Sequence, residues 1–388
     1  MKLKVTTSKT LFKGIDQNPS LLGFGCMRFP TLYEGKPDID EELAQIMIDY
    51  AYEHGVTYYD TAYPYHNGLS ELFVGKALKK YPRESFYLAT KMPTWLIHSL
   101  EDTKRIFQEQ LNKLQVTYFD YYLCHALNRD NYKAYLIPGV MDFLKEMKKE
   151  GKIHHLGFSF HDTPDILEEI IHKFDWDFVQ LQINYLDWDF IDAKRMYATV
   201  ENYGVPVIVM EPVRGGTLAS LSEEARAVFK EASLVNSIAS WAIRYAASKK
   251  NVLVVLSGMS NEEQTIDNIK TMSDFHPITD QDQLIIDRAL SAYLESQTIP
   301  CTACGYCMPC PHGVDIPGVF KIYNNYAVSK QKWQFLRDMG AMEETKLSSS
   351  CIRCGDCLPL CPQHIEIPDR MEEINELYEK MKAEQNKS

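Results

Sequence analysis

Eight short apolar runs punctuate the first two thirds of this 388-residue chain, at residues 21–26, 57–62, 86–91, 119–125, 155–160, 178–184, 206–212 and 252–258. Their starts lie roughly 23 to 46 residues apart, room for a strand, a helix and the return to a parallel neighbour. Between them run amphipathic stretches, among them 39–53, 101–113, 140–150 and 237–247, whose apolar residues recur at three- and four-residue intervals. The run Val252-Leu253-Val254-Val255-Leu256 is apolar on both faces, as a parallel strand covered by helices must be. Eight such units predict a closed (β/α)8 TIM barrel over an open doubly wound sheet. No G-x-G-x-x-G follows the first run, which removes the usual signature of a dinucleotide-binding open sheet. Residues 4–20, with Gly14 and Asn18-Pro19, predict a hairpin ahead of the barrel. The periodicity lapses at 274–280, and a helix over 281–294 leads into a cysteine-rich tail.

In a β/α barrel the chemistry gathers where strands end, on the C-terminal face. Read in order, those ends carry Cys26-Met27-Arg28, Asp60, Lys91, His125, Ser159, Gln182, Glu211 and Ser257-Gly258. A buried Asp or Lys is costly without a partner, so Asp60, Lys91 and His125 on successive strands, with Tyr65 five residues after Asp60, predict a converged polar site. The bland alternative is a barrel ion pair beside an unrelated loop tyrosine.

This constellation resembles the aldo-keto reductase family. The matching stretches are Leu22-Gly23-Phe24-Gly25, Asp60-Thr61-Ala62-Tyr63-Pro64-Tyr65 with Ser70-Glu71 and Val74-Gly75, Ala89-Thr90-Lys91, Asp120 to His125, Gly151-Lys152 before Leu156-Gly157-Phe158-Ser159, and Pro206 before Gly215-Gly216. The resemblance implies that Tyr65 is the general acid, protonating a carbonyl oxygen as hydride arrives from a nicotinamide. A tyrosine ordinarily titrates near 10, so the ammonium of Lys91 is expected to lower that value. Asp60 would hold Lys91 charged, and His125 would orient the substrate oxygen.

The same resemblance implies a nucleotide site. Gly25, Cys26 and Met27 end the first strand beside it, although Cys26 also reads as a small packing residue. Ser159 and Gln182 would hold the nicotinamide carboxamide; Phe160-His161 follow that serine where the family usually has asparagine. Met210 stands where an aromatic commonly stacks on the ring. Ser257-Gly258-Met259-Ser260 lead into a helix with Gln264 and Asn268, whose N-terminal amides suit a pyrophosphate. Where an arginine often meets the 2′-phosphate of NADP(H), Asn261 sits beside Glu262 and Glu263, which favours NAD(H). Arg214 is the nearest motif-linked cation that would reverse that preference.

Eight of the ten cysteines form two motifs, Cys301-x2-Cys304-x2-Cys307-x2-Cys310-Pro311 and Cys351-x2-Cys354-x2-Cys357-x3-Cys361-Pro362. This is spacing for four-iron clusters; paired C-x2-C also builds zinc sites, but rarely four cysteines at three-residue steps. The motifs repeat with their flanks, Val314-Asp315-Ile316-Pro317 and Ile365-Glu366-Ile367-Pro368, and each enters a helical pattern, 318–327 and 370–382. Residues 298–370 resemble two-cluster ferredoxin domains. That likeness implies two 4Fe–4S clusters, one on Cys301, Cys304, Cys307 and Cys361, the other on Cys351, Cys354, Cys357 and Cys310. The chain divides accordingly into a barrel over 1–296 and an iron–sulfur domain over 297–388. Cys124 precedes His125 and must point into the helix layer.

A net charge of −12 predicts repulsion from nucleic acid and anionic lipid. No apolar run reaches 18 residues, and the first residues carry no apolar signal core; metal-type cysteine spacing then predicts a reducing cytoplasm. The expected activity is NAD(P)H-linked reduction of a small carbonyl substrate, or the reverse alcohol oxidation, with the clusters structural or exchanging electrons with a redox partner protein. The alternative is an electron-transfer protein whose barrel binds a nucleotide or flavin as a sensor or redox site.

Overall fold

The computed structural model of the chain describes residues 3–7, 12, 15, 17–33, 36–233, 236–273, 275–294 and 298–385. Every expected apolar run forms a strand: β1 Leu22–Gly25, β2 Tyr58–Asp60, β3 Tyr87–Met92, β4 Phe119–Leu127, β5 Ile153–Phe160, β6 Phe178–Gln182, β7 Val207–Met210 and β8 Val252–Gly258. Each strand pairs in parallel with the next, and β8 pairs with β1, so the sheet closes into a barrel.

Two-residue alternation divides the strands' side chains between two cores. Tyr58, Ala89, Tyr121, Leu123, Phe178, Ile208, Val254 and Leu256 fill the barrel, while Phe24, Tyr59, Leu88, Tyr122, Cys124, Phe158 and Val179 pack outward against the helices. Cys124 therefore lies in the helix layer, as the alternation requires. Gly157 shows how full the interior is: a Cβ there would come 2.4 Å from the Phe178 carbonyl oxygen. The inward set includes Asp60, Lys91, His125, Ser159, Gln182 and Met210 at the upper strand ends, in step with the apolar residues below them.

Surrounding helices include Glu41–Glu53, Leu69–Leu78, Leu100–Leu114, Val140–Lys149, Pro164–Ile171, Ala193–Tyr203 and Glu262–Ser273. Their starts follow local chemistry: Asp40 accepts the Leu43 amide at 3.1 Å and Ser99 the Asp102 amide at 3.1 Å, satisfying amides that a first helical turn leaves open. The hairpin expected over 4–20 falls partly outside the described residues, Gly14 included. Its described part carries the isolated bridges Thr7↔Ser20 and Phe12↔Ile15 in place of regular strands, and Ile15 joins the barrel's interior core.

The chain forms two compact units, Met1–Val213 with Ala239–Thr279, and Arg214–Ile238 with Asp280–Ser388. The segment after β7 and the helix Asp280–Leu294 thus group with the cysteine-rich tail. The second unit has its own apolar core, including Val319, Phe320, Phe335, Met339, Met371 and Ile374, contributed by helices Ile316–Ser329, Lys332–Gly340 and Ile367–Gln385. Among the described residues no helix is long and apolar enough to cross a membrane.

Candidate active site

At the upper end of the first unit's barrel, Lys91 is the centre of a buried polar group. Its Nζ donates to Asp60 Oδ1 at 2.5 Å, to the Thr61 carbonyl at 2.9 Å and to Tyr65 Oη at 3.2 Å. An ammonium has three hydrogens, and all three are used. Tyr65 reaches this point because the chain turns sharply beyond it: His66, Asn67 and Gly68 all have positive φ, at 51°, 52° and 88°. The Tyr65 ring stands nearly perpendicular (81°) to His125, with centroids 6.1 Å apart. Trp95, partly exposed, lies 5.3 Å from His125 on another side.

β4 departs from regular pairing beside His125. Its register with β5 shifts between Cys124 and Leu127, and Ala126 takes φ +53°. The Ala126 amide donates to Ser159 Oγ at 2.7 Å. A bulge of this kind re-aims the side chain next to it, so Ser159 helps to set the His125 ring.

The electrostatics correct one expectation. The phenol of Tyr65 is pushed well above its usual value, first by burial and then by the carboxylates of Asp60 and Glu211, with Arg28 opposing. That direction is opposite to the lowering expected from the Lys91 ammonium. Burial is the largest cause, and Asp60 lies closer to the ammonium, at 2.5 Å, than Tyr65 does, at 3.2 Å. Asp60 is itself raised by burial, against the charge and hydrogen bond of Lys91. Burial, and then the Lys91 charge, hold the His125 imidazole well below its ordinary range. The site therefore presents a neutral phenol and a neutral imidazole beside a closed ion pair.

A second network, unread in the sequence, braces the lysine from outside the barrel. Gln110 Nε2 donates to Glu71 Oε1 at 2.6 Å and to the Lys91 carbonyl at 3.0 Å, and Gln110 Oε1 accepts the Tyr122 hydroxyl at 2.6 Å. Glu71 Oε1 also accepts the Thr90 hydroxyl at 2.7 Å. Ser70 donates to the Cys26 carbonyl at 3.0 Å and meets the Thr61 hydroxyl at 2.9 Å, which steadies the carbonyl that Lys91 uses. Ser70-Glu71 was visible as a motif; Gln110, on a helix face, carried no local signal.

The proposed nucleotide residues are more dispersed. Gly25 pairs with Gly258, and a Cβ on Gly25 would come 3.2 Å from the Ser257 carbonyl oxygen. Cys26 is fully buried, and burial pushes its thiol up; Met27 and Met210 are half-buried. Gln182 donates to Asp187 Oδ2 at 2.6 Å, and Asn184, missed in the sequence, donates to the same oxygen and to the Glu211 carbonyl. Asn268 donates to Ser257 Oγ at 2.8 Å, while Gln264 accepts the Ser260 amide at 2.8 Å. Asn261 caps the helix by accepting the Gln264 amide at 2.9 Å, and Glu262 and Glu263 stand exposed in its first turn. Arg28 lies 3.8 Å from Glu211 and would meet a Cβ on Gly258 at 3.2 Å. Arg214 is wholly buried and belongs to the second unit.

In that unit the cysteines surround two cavities. One is lined by Cys301, Cys304, Cys307 and Cys361, the other by Cys310, Cys351, Cys354 and Cys357, with Cys307 at its edge. Among the described residues no three Cys, His, Asp or Glu converge on one point as ligands of a single ion would. Thiols spread around a cavity suit a multi-iron core better than the tight tetrahedron of zinc.

Residues 21–291 match the Aldo/keto reductase family. The chain belongs to that family. Residues 300–366 match the 4Fe-4S dicluster domain, so this family member is an oxidoreductase that carries an iron–sulfur domain behind its barrel. It is 26% identical over 303 residues to an L-galactose dehydrogenase from Arabidopsis thaliana, covering 72% of this chain and 93% of the relative. A soybean (Glycine max) probable aldo-keto reductase is 34% identical over a shorter stretch of 156 residues, 38% of this chain and 43% of the relative. Among solved structures, an aldo-keto reductase from Bacillus halodurans superposes with a TM-score of 0.61 at 26% identity, over 73% of this chain and 96% of that one. A Klebsiella pneumoniae aldo-keto reductase solved with NADPH shares the fold at 19% identity and a TM-score of 0.59, over 74% of this chain and 95% of that one.

Proposed function

We propose that this reductase reduces a small carbonyl compound, or oxidises the corresponding alcohol, with Tyr65 as the proton donor. The observation that carries this is the three-way bonding of Lys91, whose contacts to Asp60, Thr61 and Tyr65 set the phenol oxygen at the barrel mouth. A bound nicotinamide supplies the hydride. A neutral Tyr65 donates to the substrate oxygen, Lys91 steadies the phenol oxygen as negative charge develops there, and Asp60 keeps Lys91 in place. Neutral His125 can donate one ring hydrogen bond to the same substrate oxygen without adding charge. Such a site favours reduction, since a phenol held protonated gives up its proton only as the substrate oxygen becomes basic.

Ser159, Gln182 and Met210 would face the nicotinamide, and Gly25, Met27, Ser257, Gly258, Ser260, Gln264 and Asn268 the remaining nucleotide. Glu262 and Glu263 favour NAD(H). Two 4Fe–4S clusters would take the ligand sets that line the two cavities, passing single electrons to a redox partner protein in the cytoplasm.

The test is Tyr65→Phe in the full chain, assayed by NADH oxidation against a panel of aldehydes and ketones. Loss of the acid should cut kcat by about 10²–10⁴-fold while nucleotide affinity stays unchanged. Persisting turnover removes Tyr65 from the chemistry.

A further inference from the structure

One helix face reaches both segments that carry the Lys91–Tyr65 pair. Glu109, Gln110 and Lys113 belong to the helix Leu100–Leu114, and their spacing sends the three side chains out on one side of it. Gln110 meets the lysine segment. Its Nε2 donates to the Lys91 carbonyl at 3.0 Å and to Glu71 Oε1 at 2.6 Å, and the same carboxylate oxygen accepts the Thr90 hydroxyl at 2.7 Å. Glu109 and Lys113 meet the tyrosine segment. Tyr63, two residues before Tyr65, donates its hydroxyl to Glu109 Oε1 at 3.1 Å, and the Lys113 ammonium stands 3.9 Å from the centre of the Tyr63 ring.

The two arms are also joined to each other. Lys113 pairs with Glu109 at 2.9 Å and lies 3.7 Å from Glu71 Oε2. Glu71 is wholly buried and sits on the helix Leu69–Leu78, just beyond Tyr65. The two helices meet at backbone distance, since a Cβ on Gly75 would come 2.5 Å from the Lys113 carbonyl oxygen. Lys91 Nζ and Tyr65 Oη are 3.2 Å apart. That is the long end of a direct hydrogen bond, so a shift of about half an ångström in either segment would open it.

We propose that the helix face formed by Glu109, Gln110 and Lys113 is a clamp that sets the distance between Lys91 and Tyr65, with Gln110 and Lys113 as positioning residues for proton donation. The proposal rests on the reading of Tyr65 as the proton donor. Gln110 fixes the strand end that bears Lys91, and Lys113 fixes the arm that bears Tyr65. Loss of either widens the gap across which Lys91 steadies the phenol oxygen as charge develops there. The candidate nucleotide residues lie on β1 and β5 to β8 and beyond, away from both arms, so the clamp acts on kcat and leaves nucleotide affinity alone.

The experiment is steady-state kinetics of the full chain with NADH and the aldehyde it turns over fastest, as wild type, Gln110→Met, Lys113→Met, Lys113→Arg, Leu111→Ala and Tyr65→Phe. NADH affinity is read by fluorescence titration and stability by thermal melting. Methionine approximates the length of either side chain and removes its hydrogen bonds or charge. Gln110→Met and Lys113→Met should lower kcat about 10–100-fold, as a misplacement of about 1 Å does, while NADH affinity stays within about twofold. Arginine keeps a cation over Tyr63 and should restore most of kcat. Leu111, on the same helix but in the apolar layer, supplies the control: Leu111→Ala should melt below wild type and keep kcat within about twofold. Should Gln110→Met fail to fold, Lys113→Met and its arginine counterpart decide alone. Wild-type kcat in either methionine variant, an equal loss of kcat in Leu111→Ala, no recovery with arginine, or insolubility of both methionine variants overturns the clamp. Full turnover in Tyr65→Phe would instead sink the proton-donor reading.

Discussion

Replacing Asp60 by asparagine would test the electrostatic core of the site most sharply. The change is nearly isosteric, yet it leaves the Lys91 ammonium facing a neutral amide at a position where the two side chains are only 2% (Lys91) and 4% (Asp60) exposed. Breaking a buried pair by removing one partner costs about 3–5 kcal/mol. The protein has an escape, because Lys91 can shed its proton. A lysine neutral in the folded state and charged in the unfolded one binds fewer protons when folded, so stability must rise with pH. Where the folded variant binds one proton fewer than the unfolded chain, the slope is about 1.4 kcal/mol per pH unit. Urea melts of wild type and Asp60→Asn, followed by tryptophan fluorescence from pH 7 to 9.5, would read both quantities. Asp60→Asn should be several kcal/mol weaker than wild type at pH 7 and should recover much of the difference by pH 9.5. A loss below about 1 kcal/mol at pH 7 with no pH-dependent recovery would refute the claim that Asp60 compensates Lys91.

Because burial raises Tyr65, an acid that fails only when deprotonated should keep kcat/KM for carbonyl reduction flat through pH 9; a basic limb between pH 7 and 8 would mean that Lys91 lowers the phenol after all. The depressed His125 imidazole has the opposite consequence for stability. The unfolded chain gains a proton near 6.5 that the folded one refuses, so unfolding free energy should fall as pH drops from about 6.5 towards 5, and His125→Gln should flatten that part of the profile. Glu262→Arg should tighten NADPH binding at least tenfold in fluorescence titrations, the return on about one charge-assisted hydrogen bond, while NADH affinity stays within twofold. No change with either nucleotide would remove the helix start at Glu262 from the nucleotide site.

Much of this protein was legible because its signals are local. Alternation along a strand marks Asp60, Lys91, His125, Ser159, Gln182 and Met210 as inward-facing, and eight apolar runs at β/α spacing leave little choice but a barrel. Cysteine spacing announces the tail in the same way. Helix edges drift by a few residues, as with 101–113 becoming Leu100–Leu114, because caps such as Ser99 extend a helix past its apolar stripe. The short helix Lys332–Gly340 went unread: nine residues hold too few turns for a pattern to stand out.

Tertiary structure decided what depends on sums over space. From the chain alone, an amine near a phenol implies acidification; folded, burial first and then the carboxylates of Asp60 and Glu211 push that phenol the other way, because desolvation and the full set of charges determine a proton's affinity. Gln110 could not be linked to the Lys91 backbone before two helices and a strand were packed together. Arg214, a candidate nucleotide contact by motif, donates to Gln363, 149 positions away, a partner that no motif pointed to. Period and spacing are properties of neighbours in the chain, so a sequence carries them openly. Protonation, bracing and charge compensation belong to neighbours in space, and only the closed barrel and its packed tail make those.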